Sequence, residues 1–361
     1  MTPTCRSPSH YLISAPVDLA LIGGLSLAIC AVYRWTQLGD LSARLLAGGV
    51  VTFLLNWPHF AATDVRLYGS RSSLSQYPIT AIAAPLVVVL LVAASLRSPL
   101  LIAPAFFKLF LVWSPFHYSG QTLGVSMLYA RKAGFRVETW CRAALSAFIY
   151  LTFISESAAA EVSPLGTLYF GVRLPTFGVP EGLPPLLHNA MYLAGGVALA
   201  GLVIGAFRQR RVPPFPLLLV PFSQYVWFVG GAGVVGFREL VPAFHSLQYL
   251  VIAWAMQAGS SRAQSTLRPR LWKLARFGRW AAWNLAGGVV LFYVFPRIPG
   301  HLGYVQPLLA AGVVTAGVQV HHFFVDGVIW KLRSRAVSAP LLATGPEQGT
   351  RATQPELELA A

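Results

Sequence analysis

"VQPLLAAGVVTAGVQVHHFFVDGVIWKLR", residues 305–333, decides the fold. Its first half carries no charged side chain, and the whole run to Trp330 is long enough to cross ~30 Å of hydrocarbon at ~1.5 Å per helical residue. Trp330 followed by Lys331 and Arg333 is how a helix leaves a bilayer on the side that gathers positive charge. Yet His321, His322 and Asp326 sit inside the same run. Ionisable groups at that depth are costly and normally face a protein interior, so the stretch reads as a membrane span with something to hold.

The rest of the chain agrees with the first half of that reading. Of 361 residues, 55% are hydrophobic and only 11% charged, against about a quarter charged in soluble domains. Apolar runs recur along the whole length and predict an all-α, polytopic membrane bundle of about ten spans. They fall near 17–35, 45–65, 78–96, 100–130, 142–159, 189–207, 214–235, 242–259, 280–296 and 305–330. Pro115 inside the fourth predicts a kink or a break there. The first run begins near Ala15 with no small-residue cleavage site, so no cleavable signal peptide is expected. Residues 1–337 are expected to form one transmembrane domain and 338–361 a disordered cytoplasmic tail.

The net charge of +15 is distributed as topology, which argues against nucleic acid as a partner. Basic residues cluster at Arg66/Arg71, at Arg131/Lys132/Arg136/Arg142, at Arg208/Arg210/Arg211, over Arg262–Arg279 and at Lys331/Arg333/Arg335. With all of these cytoplasmic the ten spans alternate correctly, both termini lie inside, and a multi-pass protein of the cytoplasmic membrane is expected. Residues 262–279, with Trp272 and Phe277 among the cations, are expected to lie as an amphipathic helix on anionic lipid. Residues 160–188, rich in Pro and Gly, would then cap the outer face as a re-entrant or surface loop. Three scattered cysteines give no disulfide framework and no CxxC metal motif. There is no Walker motif or dinucleotide fingerprint, which argues against an ATP-driven pump or a nucleotide-binding enzyme.

Five of the eight histidines fall within expected spans: His59, His117, His245, His321 and His322. Tyr68, Trp254 and Trp330 each follow a histidine by nine residues, which is about 13–14 Å of helix. Since interfacial Tyr and Trp mark the headgroup level, three helices place a histidine near the midplane. Tyr129, twelve residues after His117, adds a fourth at similar depth. Polar companions follow at helical spacing: Gln121 after His117, Gln248 after His245 and Asp326 after His322, with Asp64 five residues after His59. Taken one at a time, such pairs are explained as interhelical hydrogen bonds, worth about 0.6 kcal/mol. Taken together, they suit imidazole ligands oriented by an amide or carboxylate on the second ring nitrogen.

Imidazoles with a carboxylate and no thiolate predict a transition metal, with iron favoured and copper or zinc as alternatives. The expected ligands are His59, His117, His245, His321, His322, Asp326 and Asp64, with Gln121 and Gln248 as orienting partners. Adjacent His321 and His322 diverge by about 100° on a helix, which leans toward two metals with Asp64 or Asp326 bridging or orienting. A haem held by two facing histidines is the less favoured cofactor. In class the arrangement resembles the histidine-box membrane oxygenases, such as desaturases and hydroxylases. That likeness implies a metal-dependent oxidoreductase taking a hydrophobic small molecule from the lipid bilayer. Their HxxxH and HxxHH boxes are absent here, His321-His322 being the sole dipeptide match, so no residue role transfers. A proton- or cation-coupled transporter and a haem-binding electron carrier stand as alternatives.

Among the other polar residues of the spans, Asp18 is expected to cap a helix N-terminus, Glu156 to reach water and Lys108 to snorkel outward. Asn56 and Gln224 are candidates to line the same cavity.

Overall fold

The computed structural model describes residues 10–36, 41–259, 269–301, 303 and 306–342. It is almost wholly helical. The helices are α1 (Ala15–Thr36), α2 (41–68), the short α3 (Arg71–Gln76), α4 (Ile79–Arg97), α5 (Ala103–Lys132) and α6 (Thr139–Ala160). After a small hairpin come α7 (Leu183–Gln209), α8 (Phe215–Gly230), α9 (Val241–Gly259), α10 (269–301), α11 (Pro307–Ile329) and α12 (Arg335–Leu342). Six of them, α1, α4, α6, α7, α10 and α11, are long and apolar enough to cross a membrane. Their outer faces are apolar as well: Leu86, Val89 and Leu90 on α4 and Leu193, Leu199 and Val203 on α7 are exposed. Lipid accepts such a surface where water would not.

Proline starts several of these helices. Proline stands in the first turn of α1, α5, α7, α8 and α11, where its missing N–H has no intrahelical partner to lose. Among the described residues, π-helical turns interrupt α1, α2 and α10, open α4 and close α8. The one in α2, Thr52–Asn56, lies immediately before His59. Such one-residue insertions re-aim the side chains that follow and concentrate at functional sites.

Close packing of the helices depends on small residues. Gly287 and Gly288 of α10 lie against Ala61 and Trp57 of α2, with no room for a Cβ at either glycine. Gly201 of α7 meets Cys141 and Trp140 of α6 in the same way. Without a hydrophobic drive between helices in lipid, this van der Waals approach holds neighbours together. α11 packs on α2, α4 and α5, and α9 packs on α1, α2 and α12. The helices α2, α5, α9 and α11 thereby surround one central position.

Several expectations are corrected here. α5 runs unbroken through Pro115, and the Ser119 hydroxyl donates to the Pro115 carbonyl at 2.9 Å. The amphipathic stretch is not a separate surface helix: from residue 269 it is the opening of α10, because its Leu, Lys, Ala and Arg residues propagate a helix and supply no stop signal. Residues 262–268 lie outside the described residues. Residues 338–342, expected in the tail, instead belong to α12, whose Val337 and Leu341, one turn apart, are buried against Ile22, Tyr129 and Met256. Residues 343–361 lie outside the described residues.

The 160–188 segment forms a hairpin, Leu168–Tyr169 against Val172–Arg173. Phe170 and Gly171 both take positive φ at its turn (46° and 82°), as a two-residue hairpin of matching twist requires. Phe170 rests on Gly312 of α11 and stacks near Phe107 of α5, while Val172 and Leu174 join the core beneath. Lys108 does not snorkel; it pairs with Glu161 and lies over the Phe177 ring. Glu156 pairs with Arg238 at 2.6 Å and with His188 at 3.3 Å. Asp18 accepts the backbone N–H groups of Leu12, Ile13 and Ser14 and the Tyr129 hydroxyl, so it gathers the chain ahead of α1 instead of capping a helix end.

Candidate metal centre

Four helices each deliver one imidazole to the central position: His59 from α2, His117 from α5, His245 from α9 and His322 from α11. One ligand nitrogen from each lies within 4.8 Å of all the others. The rings pack edge to face, with centroids 4.3 Å apart for His59 and His322, 4.9 Å for His117 and His245, and 5.1 Å for both His59–His245 and His117–His322. His59, His245 and His322 are each 1% exposed.

The hydrogen bonding of these rings is incomplete. Nε2 of His59, Nε2 of His117 and both ring nitrogens of His245 and His322 are buried without a hydrogen-bond partner. Each such group costs about 1–3 kcal/mol if nothing satisfies it, and one nitrogen from each of the four rings belongs to the converging set. One nitrogen is provided for. His59 Nδ1 lies 3.2 Å from Ser246 Oγ, which also lies 2.7 Å from the Pro242 carbonyl and 2.7 Å from Asn56 Oδ1. When the single hydroxyl proton goes to one of those two acceptors, Ser246 turns a lone pair toward His59. In that arrangement the His59 proton sits on Nδ1 and Nε2 is left as a bare donor atom facing the cluster.

Asp326, one turn after His322 on α11, adds a carboxylate to the edge of the cluster. Its Oδ2 is 3.3 Å from His322 Nε2 and 3.7 Å from His117 Nε2, close enough for charge interaction though not aligned as hydrogen bonds. Its Oδ1 accepts from Thr63 at 3.0 Å and from the Trp330 indole at 3.1 Å. Tyr249 closes this arc, 2.5 Å from Thr63 Oγ1 and 3.2 Å from Trp330 Nε1, with its ring on that of His59. The carboxylate is thus held by its outer oxygen, leaving the inner one toward the imidazoles. Thr63, Tyr249, Ser246 and Asn56 were not singled out as site residues by sequence reasoning, apart from Asn56 as a candidate lining residue. Ser246 beside His245 and Asn56 one turn before His59 were the available signals.

The remaining expected ligands lie elsewhere. His321 points away from His322, as adjacent helical residues must, and meets Tyr68 (3.0 Å) and Asp64 (3.6 Å) on α2. Asp64 therefore belongs with His321 in a separate polar contact and bridges nothing at the cluster. Gln121 donates to the His245 backbone carbonyl at 2.9 Å and approaches Gln248 at 3.4 Å, while Gln248 donates to the Ile22 carbonyl at 2.6 Å. Gln121 thus holds the backbone of α9 and Gln248 that of α1, and neither amide holds an imidazole nitrogen. Gln224 bonds Ser119, Thr152 and the Ile149 carbonyl, tying α8 to α5 and α6 away from the cluster.

The donor set fits a metal ion. Four neutral imidazoles and one carboxylate, without sulfur, match Fe, Cu or Zn in preference to Mg or Ca. Tetrahedral ligands at metal–nitrogen bonds of ~2.1 Å stand ~3.4 Å apart, so these nitrogens, up to 4.8 Å apart, would draw inward by side-chain rotation to share one ion. The described residues therefore hold a buried four-histidine group that could bind a metal ion, in a helical chain with apolar, membrane-length segments. Comparison with protein-family models, with curated proteins and with solved structures finds no match to this chain.

Proposed function

We propose that the chain is a multi-pass protein of the cytoplasmic membrane whose four-histidine group binds one transition-metal ion, with iron first and copper or zinc as alternatives, and serves a metal-dependent oxidoreductase acting on a hydrophobic small molecule. The observation that carries the reading is the convergence of buried, unpartnered imidazole nitrogens from four helices. A shared cation satisfies several lone pairs aimed at one point at once.

His59, His117, His245 and His322 would hold the ion, and Asp326 would supply charge balance or a fifth ligand. When bound, such a metal supplies one-electron chemistry or Lewis acidity. The chain's own residues exclude water from it, hold the His59 proton on Nδ1 through Ser246, and fix Asp326 through Thr63 and Trp330. A hydrophobic substrate suits the surroundings. Phe323 stacks on His117, Trp113 packs on Phe323 and Phe324, and Phe116 and Phe324 reach the lipid-facing surface. Haem fits less well, because imidazoles in edge contact with one another leave no slab for a macrocycle between them.

The ten-span topology with both termini inside is part of the proposal. The four expected spans that fall outside the six most apolar helices include α2, α5 and α9, which carry His59, His117 and His245; polar site residues lower their hydropathy. The C-terminal ends of α2, α5, α7 and α11 all carry basic residues, as helices leaving on the cytoplasmic side do.

Metal analysis of the protein purified in mild detergent tests the reading: about one iron, copper or zinc per chain is expected, and a metal signal that changes on chemical reduction supports the redox role. The transport alternative draws on the polar contact of His321, Asp64 and Tyr68 beside the cluster. Cation or proton flux in proteoliposomes from protein free of metal would favour it instead.

A further inference from the structure

At the basic end of the bundle a concavity of about 710 Å³ opens between the end of α5, the loop before α6 and the chain that follows α11. Its walls include Arg131, Arg136, Arg142, Lys331 and Arg333, and no carboxylate lines it. Glu138, on the same loop, is not among the lining residues, and among the described residues none of the five cations forms an ion pair. Met127, Ala130, Phe135 and Leu332 supply an apolar floor.

Topology alone explains a basic helix end, but not this shape. The charge bias that orients a membrane protein needs only cations near the surface. Here two segments nearly 200 residues apart in sequence bring five of them around one hollow. Their mutual repulsion has no internal compensation, which favours an anionic occupant. The frame is built as well. Gly134 takes φ +66° in the loop, and a side chain there would press on the Arg211 guanidinium. Gln209 bonds both the N–H and the carbonyl of Arg136 at 2.8 Å, and Arg131 donates to the Leu332 carbonyl at 3.2 Å. The loop and the strand after α11 are thereby set relative to each other before any ligand arrives.

We propose that this hollow is a binding site for a phosphate-bearing ligand, with Arg136, Arg142, Lys331 and Arg333 as its contacts and Arg131 as the brace of its wall. Guanidinium groups engage phosphate oxygens in pairs, and the apolar floor accepts the organic part. The phosphate belongs either to an anionic lipid headgroup or to a soluble phosphorylated compound. Because α5 and α11 also carry His117 and His322, occupancy would bear on the ends of two helices that form the metal centre. The site itself stands independently of the metal reading.

The test uses the full chain in neutral detergent, with Arg136→Gln/Arg333→Gln against the wild type and Arg97→Gln/Arg297→Gln as the control at the opposite end. One arm measures pyrophosphate binding by calorimetry at low and at physiological salt. The other counts phosphatidylglycerol retained against phosphatidylcholine by native mass spectrometry. A salt-sensitive affinity for either probe that falls at least tenfold in the Arg136/Arg333 variant, about 1.4 kcal/mol, and holds in the control supports the site. Pyrophosphate alone identifies a soluble ligand, and phosphatidylglycerol alone a lipid. Binding of neither, or equal binding in all three proteins, overturns the proposal. Unchanged helical circular dichroism of the variant shows that the loss is not unfolding.

Discussion

The rings of His59 and His322 face each other edge to face at 4.3 Å, although they come from the second and the eleventh helices of the chain. Each presents a buried nitrogen without a hydrogen-bond partner toward the same point. Two neutral imidazoles gain little from such an approach in lipid. The contact makes physical sense if a cation is shared, and the predictions that follow separate this account from one in which the histidines only pack.

Ser246→Ala removes the group that keeps the His59 proton on Nδ1. The expected result is a metal affinity roughly 10- to 100-fold weaker, as for other lost partners of ligating histidines, with the protein still folded. Competition with a chelator of known affinity measures it. An affinity equal to wild type would show that Ser246 does not orient the ring.

His321→Ala and His322→Ala, one residue apart, are expected to behave oppositely. The first disturbs the contact with Tyr68 and Asp64 and keeps the metal; the second loses it. Elemental analysis of the two proteins side by side gives the answer, and equal loss in both would return His321 to the ligand set.

Asp326→Asn keeps the shape but removes the charge beside His322 and His117. Bound metal is expected to persist with altered spectroscopic or redox properties, because four imidazoles remain. Complete loss of metal would make Asp326 a required ligand and not an accessory one.

Lys108→Met leaves the half-buried Glu161 without its cation, holding only the Phe177 N–H. Breaking this partly buried pair is expected to cost about 1–2 kcal/mol, less than the loss of a fully buried one, whereas replacing both with Lys108→Met/Glu161→Gln recovers much of it. Thermal unfolding in detergent should rank the proteins wild type, double variant, single variant. A single variant as stable as wild type would mean the pair is solvated.

The helices were legible because lipid imposes a simple rule: twenty apolar residues, a Trp or Tyr, then Lys or Arg. That histidines from separate helices meet was legible in part: nine residues from Tyr68, Trp254 and Trp330 set His59, His245 and His321 at one level, and the structure joins His59 and His245 with His117 and the adjacent His322. What depth does not reveal is rotation. Whether His321 or His322 turns inward depends on how α11 seats against α2, α4 and α5, which no spacing within α11 discloses. The same limit misplaced Asp64: five residues from His59 puts it past the facing position that Thr63, at i+4, occupies beside Asp326. The roles of Gln121 and Gln248 were misjudged because amides one turn from a histidine reach a neighbouring helix's backbone as readily as a ring nitrogen. α12 was missed although Val337 and Leu341 carry the i,i+4 signature, because the polar sequence after Leu342 dominated the reading.

Metal content tests the central claim most directly. Wild-type protein, purified without added metal and without a metal-affinity step, is analysed by mass spectrometry alongside His59→Ala and His245→Ala. The account predicts about one transition-metal ion per wild-type chain and a loss of most of it in both variants, with helical content retained. A wild-type protein that is folded yet carries no iron, copper or zinc, and takes up none on reconstitution, would contradict it.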